Sequence, residues 1–151
     1  MFKWDHTPSR LLNWGDDWKP PLGDHAPNYV FHEFDPAHPL FWGHILFPEL
    51  IEIHDCVLLK DRYSLENFQS WRKSTSDLSA IEDVLNHTHV WDLFYKKNAR
   101  MIDSDWYRIA EMIRVCWELN LQKQFPERKF ELYLTNTDQD YGPTVGFFSK
   151  R

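Results

Sequence analysis

Glycine is scarce in this chain of 151 residues, and the common motifs for binding nucleotides or activating nucleophiles are missing. With only 5 Gly, the chain has little material for the glycine-rich loops that hold phosphates with backbone N–H groups. The sequence contains no Walker A, GxGxxG, GxSxG or HExxH pattern. We therefore predict no catalytic residue and no cofactor.

Cysteine is also scarce, and Cys56 and Cys116 are the only two. They lie far apart in apolar contexts, which is typical of buried thiols in a reducing compartment rather than of a disulfide. The alternative for Cys56 is a nucleophile beside His54, which needs an accessible, electropositive setting. The hairpin predicted below turns Cys56 toward the core, so a structural thiol is favoured.

The sequence also lacks a basic stripe and a long apolar run. Its 17 Lys+Arg and 23 Asp+Glu give a net charge of −6 and a pI near 5.7, a balance that repels phosphate backbones. No apolar segment approaches membrane-spanning length, and residues 1–18 contain no continuous apolar stretch of the kind found in signal peptides. We expect no nucleic-acid partner, no membrane association and a cytoplasmic location.

Aromatic residues, in contrast, are abundant, with 8 Trp, 11 Phe and 6 Tyr. Their large buried areas make a stable core easy to build in a chain that fits one domain. Residues 1–28 combine several prolines with Trp4, Trp14 and Trp18, which disfavours a long helix or strand there. We predict an aromatic, proline-rich arm over residues 1–28 that packs on a single α+β domain over residues 29–151.

The first half of that domain is predicted to contain mainly strands. Residues 28–34, NYVFHEF, are β-branched and aromatic and predict a first strand. Residues 40–47 fit either a short helix or an irregular buried segment. Residues 49–60 fit one long strand or, more coherently, a hairpin that turns at His54 and Asp55. In the hairpin, one face carries Ile51, Ile53, Cys56 and Leu58.

Three helices are predicted in the second half. Ser64 can cap the first, whereas Ser79 and Glu82 have the spacing of a capping box for a second helix that ends near Asn86. The third and longest spans residues 104–125. Its main apolar arc consists of Trp106, Ile109, Ala110, Ile113, Cys116, Trp117 and Leu121.

The chain closes with a predicted β-hairpin. Apolar residues alternate along residues 130–135 and again along residues 145–147, and turn-forming residues occupy 136–142. Strands joined by short turns predict an α+β fold, with an antiparallel sheet of about four to five strands and about three helices packed on one face.

Two groups of histidines are the candidate metal ligands. His87 and His89 would share a face in a strand and could chelate an ion there. A cap or loop is the favoured interpretation, because histidine also interacts well with the free carbonyl groups at a helix C-terminus. The second, looser group lies around the first predicted strand and consists of His32, His38 and His44.

Two segments combine aromatic rings with carboxylates and are candidates for binding a protein partner. One lies in the arm, where exposed tryptophans would serve as binding hot spots, and the other is the acidic tip of the terminal hairpin. The arm residues are Trp14, Asp16, Asp17 and Trp18, and the tip residues are Asp138, Asp140 and Tyr141.

A second, narrower apolar strip on the long helix suggests a homodimer as a further possibility. A helix with two apolar strips is usually sandwiched between layers, or it presents one strip to a partner. This strip consists of Met112, Val115 and Leu119.

The last third of the chain contains a late amphipathic helix that ends in FP, followed by KFELYL and DYGPTVGFF. From Trp106 onward, this layout resembles the tails of small bacterial proteins of uncharacterised function. Some of those serve as immunity proteins against polymorphic toxins, so the resemblance implies a non-catalytic function in binding another protein. These motifs consist mostly of packing and turn residues, and no functional residue is carried over from them.

Together these observations rank a non-catalytic, immunity-like protein-binding domain with an acidic, aromatic surface first. A small metal-binding protein or enzyme built on the histidines is the rival hypothesis. A homodimeric structural protein is the third.

Overall fold

The computed structural model describes residues 7–23, 26–94, 101–137 and 141–151. Within those residues the chain forms five α-helices and five short strands, so it is an α+β protein. In chain order these are α1 (Ala26–Glu33), α2 (His38–Leu46), β1 (Leu50–Ile53), β2 (Cys56–Leu59), α3 (Leu65–Ser74), α4 (Leu78–Asn86), β3 (Thr88–His89), α5 (Asp103–Gln124), β4 (Phe130–Thr135) and β5 (Thr144–Ser149).

The first hairpin is formed by β1 and β2, with Ile51 opposite Leu58. His54 and Asp55 connect the two strands with φ values of 48° and 69°. Positive φ at both central residues is the feature of the type I′ turn, whose twist matches that of the flanking strands. The predicted hairpin is therefore confirmed, although neither turn residue is glycine.

The helices α3 and α4 begin at different caps. The Oγ of Ser64 accepts a hydrogen bond from a backbone N–H three residues on, at 3.1 Å, as predicted. Asp77 caps α4, because its carboxylate accepts from the backbone N–H groups of Ser79 and Ala80. The capping box predicted from Ser79 and Glu82 is therefore wrong, and Glu82 is free for another role. The predicted end of this helix at Asn86 is confirmed.

The long helix and the terminal hairpin agree with the sequence prediction. α5 extends over 22 residues, and β4 pairs antiparallel with β5 from Phe130 opposite Ser149 to Thr135 opposite Thr144. β3 pairs with the other edge of β5 at its first two residues. The apolar side chains that α5 buries are Trp106, Ala110, Ile113, Trp117 and Leu121.

Strand β2 is covered on both of its faces. Val57 and Leu59 point into a core cluster with α5 and β5. Cys56 and Leu58 point the opposite way, into a second cluster with α3 and α4, because successive side chains of a strand alternate. The expectation that the helices pack on only one face is therefore wrong.

Two polar side chains of α4 lie between the edges of β2 and β5. Glu82 accepts hydrogen bonds from the backbone N–H groups of Val57, at 2.7 Å, and Ser149, at 2.6 Å. One helical turn later, Asn86 bonds to backbone groups of the same two strands. Both side chains are fully buried, and they satisfy backbone groups that would otherwise lose solvent without gaining a partner.

These two side chains divide the sheet. The described residues form a two-stranded sheet, β1–β2, and a three-stranded sheet in the order β3–β5–β4. The expectation of one sheet of four to five strands is wrong, because Glu82 and Asn86 occupy the place where β2 and β5 would pair directly.

The buried charge of Glu82 is matched by one arginine. Nη1 of Arg151 donates to Oε2 of Glu82 at 3.1 Å, and Nη2 donates to Oε1 at 3.2 Å. This two-point geometry is the strong form of an ion pair. Hydrogen bonding and the charge of Glu82 raise the pKa of Arg151 despite the opposing effect of burial, so the guanidinium stays charged.

Residues 28–34 belong mostly to α1, so the predicted first strand is wrong. Tyr29, His32 and Glu33 recur at the spacing of one helical face, and all three meet Trp14. A strand would point Tyr29 and His32 to opposite sides. The shared contact with Trp14 is therefore available only to the helix.

Part of the predicted arm is held against the start of α5. The backbone N–H of Ser9 donates to Oδ1 of Asp105 at 3.1 Å, and the hydroxyl of Ser9 also bonds to that carboxylate. Leu11 is buried. α1 begins at Ala26, before the predicted boundary at residue 28. The division into an arm and a domain stays a prediction.

Candidate interaction surface

Trp14 and Trp18 contact α1 and form an aromatic cluster with it. The ring centroids of Trp14 and Tyr29 are 5.2 Å apart, and those of Trp18 and His32 are 4.3 Å apart. The indole N–H of Trp14 donates to Oε1 of Glu33 at 3.1 Å. Both tryptophans are half-buried by these contacts, so they mainly support α1.

The two acidic residues of the predicted arm site lie on the surface. Asp16 and Asp17 are exposed in the 3₁₀ helix Trp14–Asp17. The structure thus brings the four predicted arm residues together, with the carboxylates facing solvent and the rings facing α1.

The next helix along the chain is α2. It includes residues 40–46, so most of the segment that fits either a short helix or an irregular segment is helical. Pro39 lies in its first turn, where the missing N–H breaks no helical hydrogen bond. Two side chains of α5 hold its far end. The indole N–H of Trp117 donates to the carbonyl of Ile45 at 2.8 Å, and Asn120 donates to the carbonyl of Pro48 at 2.9 Å.

Both N-terminal helices present large apolar side chains to solvent. Each is fully described, and neither contains a buried residue. Phe31 exposes 82% of its surface, Leu40 exposes 73% and Phe41 exposes 67%. Sequence reasoning missed these residues because it placed the first of them in a half-buried strand. The α1–α2 apolar surface, as we call it, consists of Val30, Phe31, Phe34, Leu40, Phe41 and Phe47.

The segment that carries this surface has formal charges of one sign. The sequence contains no lysine or arginine between Lys19 and Lys60. The acidic residues of the preceding 3₁₀ helix, of α1 and of the turn between α1 and α2 are exposed. The exposed acidic residues are Asp16, Asp17, Glu33 and Asp35.

The predicted tip of the terminal hairpin is only partly described. Asp138 and Asp140 lie outside the described residues. Tyr141 is exposed, and its ring lies 5.4 Å from that of Trp91 and 6.0 Å from that of His89. The contact role of this tip stays a prediction.

His87 and His89 lie next to each other where α4 ends. Their ring centroids are 5.2 Å apart. Nδ1 of His87 lies 2.7 Å from the carbonyl oxygen of Val84, and Nδ1 of His89 lies 2.8 Å from Oγ1 of Thr144. In the part of the chain that the structure describes, no group of three or more potential ligand residues is placed to hold a metal ion.

The second group of histidines is spread along the N-terminal helices. His32 is exposed on α1, where its ring packs on Trp18. His38 begins α2 and its ring lies 5.9 Å from that of Phe34. His44, near the end of α2, is also exposed.

The two thiols differ in their burial but agree in the direction of their pKa shift. Cys56 is fully buried, and its Sγ lies 3.9 Å from the carbonyl oxygen of Leu78. Burial raises the pKa of the Cys56 thiol, and the charge of Glu82 adds to the rise. Burial also raises the pKa of Cys116, which is only half-buried. A nucleophilic thiol needs the opposite shift.

The second apolar strip of α5 is only partly open. Met112 and Val115 are half-buried, whereas Leu119 exposes 56% of its surface. A homodimer through these residues stays a prediction.

No α-helix among the described residues is both long and apolar enough to cross a membrane. A scan against protein-family models and searches of curated proteins and of solved structures found no match for the chain. The geometry of the chain itself must therefore support any functional assignment.

Proposed function

We propose that this protein is a non-catalytic binding domain for another protein and that the α1–α2 apolar surface is its contact. The supporting observation is the exposure of Phe31, Leu40 and Phe41 on two successive helices that bury no residue of their own. Scattered apolar residues on a surface are ordinary, but a concentration of large ones marks interaction sites.

The chemistry of these side chains suits a protein partner. Phenylalanine and leucine gain free energy when they enter an apolar groove, and aromatic residues are enriched in interface cores. Carboxylates at the margin, such as Asp35, would form the polar rim that surrounds such a core. A partner with an apolar groove bordered by lysine and arginine fits both features.

The binding experiment compares two variants of similar chemistry. Partner candidates are obtained by cross-linking in the native host, and each is then purified and titrated calorimetrically against the wild type. A Phe31→Ser, Phe41→Ser variant should bind at least tenfold more weakly, because apolar hot spots cost more than 1 kcal/mol each when truncated. Leu65→Ser, an exposed change in the first turn of α3, serves as the control. Equal affinity of all three proteins would contradict the proposed surface.

The charge of the rim gives a second, independent measurement. Glu33→Lys, Asp35→Lys should slow association with a basic partner and reduce its dependence on salt, whereas the dissociation rate should change less. Stopped-flow association rates at about 50 and about 300 mM salt test this, because the added salt shortens the distance over which charges attract. An unchanged salt dependence would contradict a basic partner.

The immunity-like form of the proposal makes the partner a toxin. Its motivation is the resemblance of the chain from Trp106 onward to tails of small bacterial proteins, some of which are immunity proteins. Co-expression with a toxin encoded beside this gene should restore growth, and Phe31→Ser, Phe41→Ser should abolish the rescue. Rescue by that variant would leave the α1–α2 apolar surface without a role in inhibition.

The metal-binding alternative depends on His87 and His89, whose rings are close. Both Nδ1 atoms already lie within hydrogen-bond distance of protein oxygens, so only the Nε2 atoms would be available as ligands. Elemental analysis of the purified protein tests this alternative. Stoichiometric zinc, iron or manganese that disappears in a His87→Ala, His89→Ala variant would replace the binding-domain proposal.

A further inference from the structure

A cleft of about 340 Å³ lies where α2 meets the rest of the domain. Its walls come from the end of α2, from β2 and the turn after it, from β3 and from α5. Trp117 forms one wall, and its hydrogen bond to the carbonyl of Ile45 fixes α2 beside it. This volume is in the range of clefts that hold small organic ligands.

Most of the wall is apolar. Ile45, Leu59, Leu93 and Trp117 all contribute to it, and Leu59 and Trp117 belong to the buried core cluster. A ligand that fills the cleft therefore needs an apolar body, because a fully polar one would lose water without gaining hydrogen bonds.

Thr88, from β3, lines the cleft and carries a buried hydroxyl. The residue is only 3% exposed, and its Oγ1 has no hydrogen-bond partner among the described residues. A buried hydroxyl without a partner is unfavourable, and polar atoms of this kind are uncommon in folded proteins. A ligand oxygen in the cleft would satisfy it.

Arg62 contributes the positive charge of the cleft. Among the described residues its guanidinium makes one hydrogen bond, from Nη1 to the carbonyl oxygen of His87 at 3.0 Å. A guanidinium has five N–H donors, so four remain for a ligand. Asp61 lines the same cleft, and the negative charge of Asp92 attracts the guanidinium of Arg62. The region around Arg62 is therefore not strongly positive.

We propose that this cleft binds a small organic carboxylate with an apolar body. The carboxylate accepts hydrogen bonds from Arg62 and from the hydroxyl of Thr88, and the apolar part lies against Leu59 and Trp117. One arginine is the usual partner of a single carboxylate. A phosphate, with its higher charge, is disfavoured by Asp61, since Arg62 is the only lysine or arginine in the described lining of the cleft.

Calorimetry and NMR with two probes, octanoate and 3-phenylpropionate, test the assignment. At least one of them should bind the wild-type protein at millimolar or lower concentration, with amide shifts centred on Leu59, Arg62 and Thr88. Octan-1-ol should bind at least tenfold more weakly than octanoate, because it lacks the charge that Arg62 recognises. Failure of both carboxylates to bind, or equal binding of octanol, would overturn the proposal.

Variants separate this site from adsorption on other apolar surfaces. Arg62→Gln should weaken carboxylate binding about tenfold or more, whereas Arg114→Gln, whose side chain pairs with Glu118 outside the cleft, should leave it unchanged. Phe31→Ser should also leave it unchanged. Loss of binding in Phe31→Ser with retention in Arg62→Gln would place the ligand on the α1–α2 apolar surface instead.

Thr88→Val distinguishes a role in ligand binding from a purely structural role, because the two predict different effects on affinity. The change keeps the shape of the side chain and removes the unpartnered hydroxyl, so the free protein should melt about 2–4 °C higher. The same variant should bind octanoate about fivefold more weakly, because one hydrogen bond to the carboxylate is lost. An unchanged affinity would remove Thr88 from the site, and binding unchanged in both Thr88→Val and Arg62→Gln would refute it.

Discussion

The two N-terminal helices and the domain that follows them contain the same kinds of aromatic residue but place them oppositely. Phe31 on α1 exposes 82% of its surface, whereas Phe68 on α3 exposes 2%. The helices α3, α4 and α5 each bury at least one apolar side chain, and α1 and α2 bury none. Fully buried apolar side chains therefore stabilise the domain, whereas α1 contributes none to the core and α2 contributes only the partly buried Ile45 and Leu46.

The contacts that hold the two helices are mainly ring packing and single hydrogen bonds. α1 is held by ring contacts with Trp14 and Trp18, by the hydrogen bond that Trp14 donates to it and by the one that Asn28 donates to the carbonyl of Leu22 at 3.3 Å. α2 is held at its far end by Trp117 and Asn120 of α5. Regions with little buried apolar surface open at lower free energy than the core. The difference between the two regions thus predicts that α1 and α2 open at lower free energy than the rest of the domain.

The largest expected effect compares one phenylalanine from each region. Phe68→Ala should lower the free energy of unfolding by about 3–5 kcal/mol, because it leaves a cavity between β2, α3 and α4. Phe31→Ala should change it by less than about 0.5 kcal/mol, as expected for an exposed site. Urea unfolding of both variants measures this. A loss of several kcal/mol in Phe31→Ala would show that α1 is packed in solution.

The second effect concerns Glu82, which bonds to strands of both sheets. Glu82→Ala should cost about 3 kcal/mol, because it leaves the backbone N–H groups of Val57 and Ser149 buried without partners and leaves Arg151 without its carboxylate. The control is Glu131→Gln, which removes an exposed pair with Lys150 at 3.2 Å and should cost less than about 1 kcal/mol. Equally small losses of stability in the two variants, measured by urea unfolding, would mean that Glu82 is solvated.

A third comparison concerns the attachment of α2. Asn120→Ala removes the hydrogen bond to the carbonyl of Pro48, a loss of about 1 kcal/mol, and should speed amide hydrogen exchange in α2 more than in α4. Gln124→Ala is the matched control, since Gln124 bonds to Asn120 at 2.8 Å but does not bond to the segment after α2. If both variants exchange alike, this hydrogen bond does not hold α2.

Much of the domain could be predicted from the sequence because its elements follow simple periodic patterns. The hairpin at His54 and Asp55, the cap at Ser64 and the 22-residue α5 all have local signals in the chain. Each is a case in which spacing of apolar residues and the capping or turn residue agree. In these places local preference and tertiary packing select the same structure.

The parts that could not be predicted depend on contacts between distant residues. α1 has no buried face, so no apolar period of 3.6 residues distinguishes it from a strand. Glu82 and Asn86 do have a usable signal, because two polar residues at i, i+4 on one side of a helix can bond to a common neighbour. That neighbour, the edge of β2, becomes known only when the chain has folded.

The candidate sites illustrate the same limit. Trp14, Asp16, Asp17 and Trp18 are close in sequence, so their grouping was readable, but the tryptophan rings turn toward α1. The cleft brings Arg62 and Thr88 together with residues from α2 and α5. Such a site has no motif, because sequence separations of tens of residues carry no periodic signal.

The smallest expected effect is a loss of stability at high pH that belongs to the domain and not to the N-terminal helices. Burial raises the pKa of Cys56 above its ordinary value of 9.0 in the folded protein. Well below pH 9.0 the thiol is protonated in both states, so its contribution to stability is fully present. As the pH rises further, the unfolded chain releases the proton first, and stability falls until the folded thiol also ionises. Wild type should therefore lose more stability than Cys56→Ala between pH 8 and pH 10 in urea unfolding. Parallel profiles for the two proteins would mean that Cys56 ionises as freely in the folded domain as in the unfolded chain, and the contrast between a sealed core and open N-terminal helices would be weaker than the structure implies.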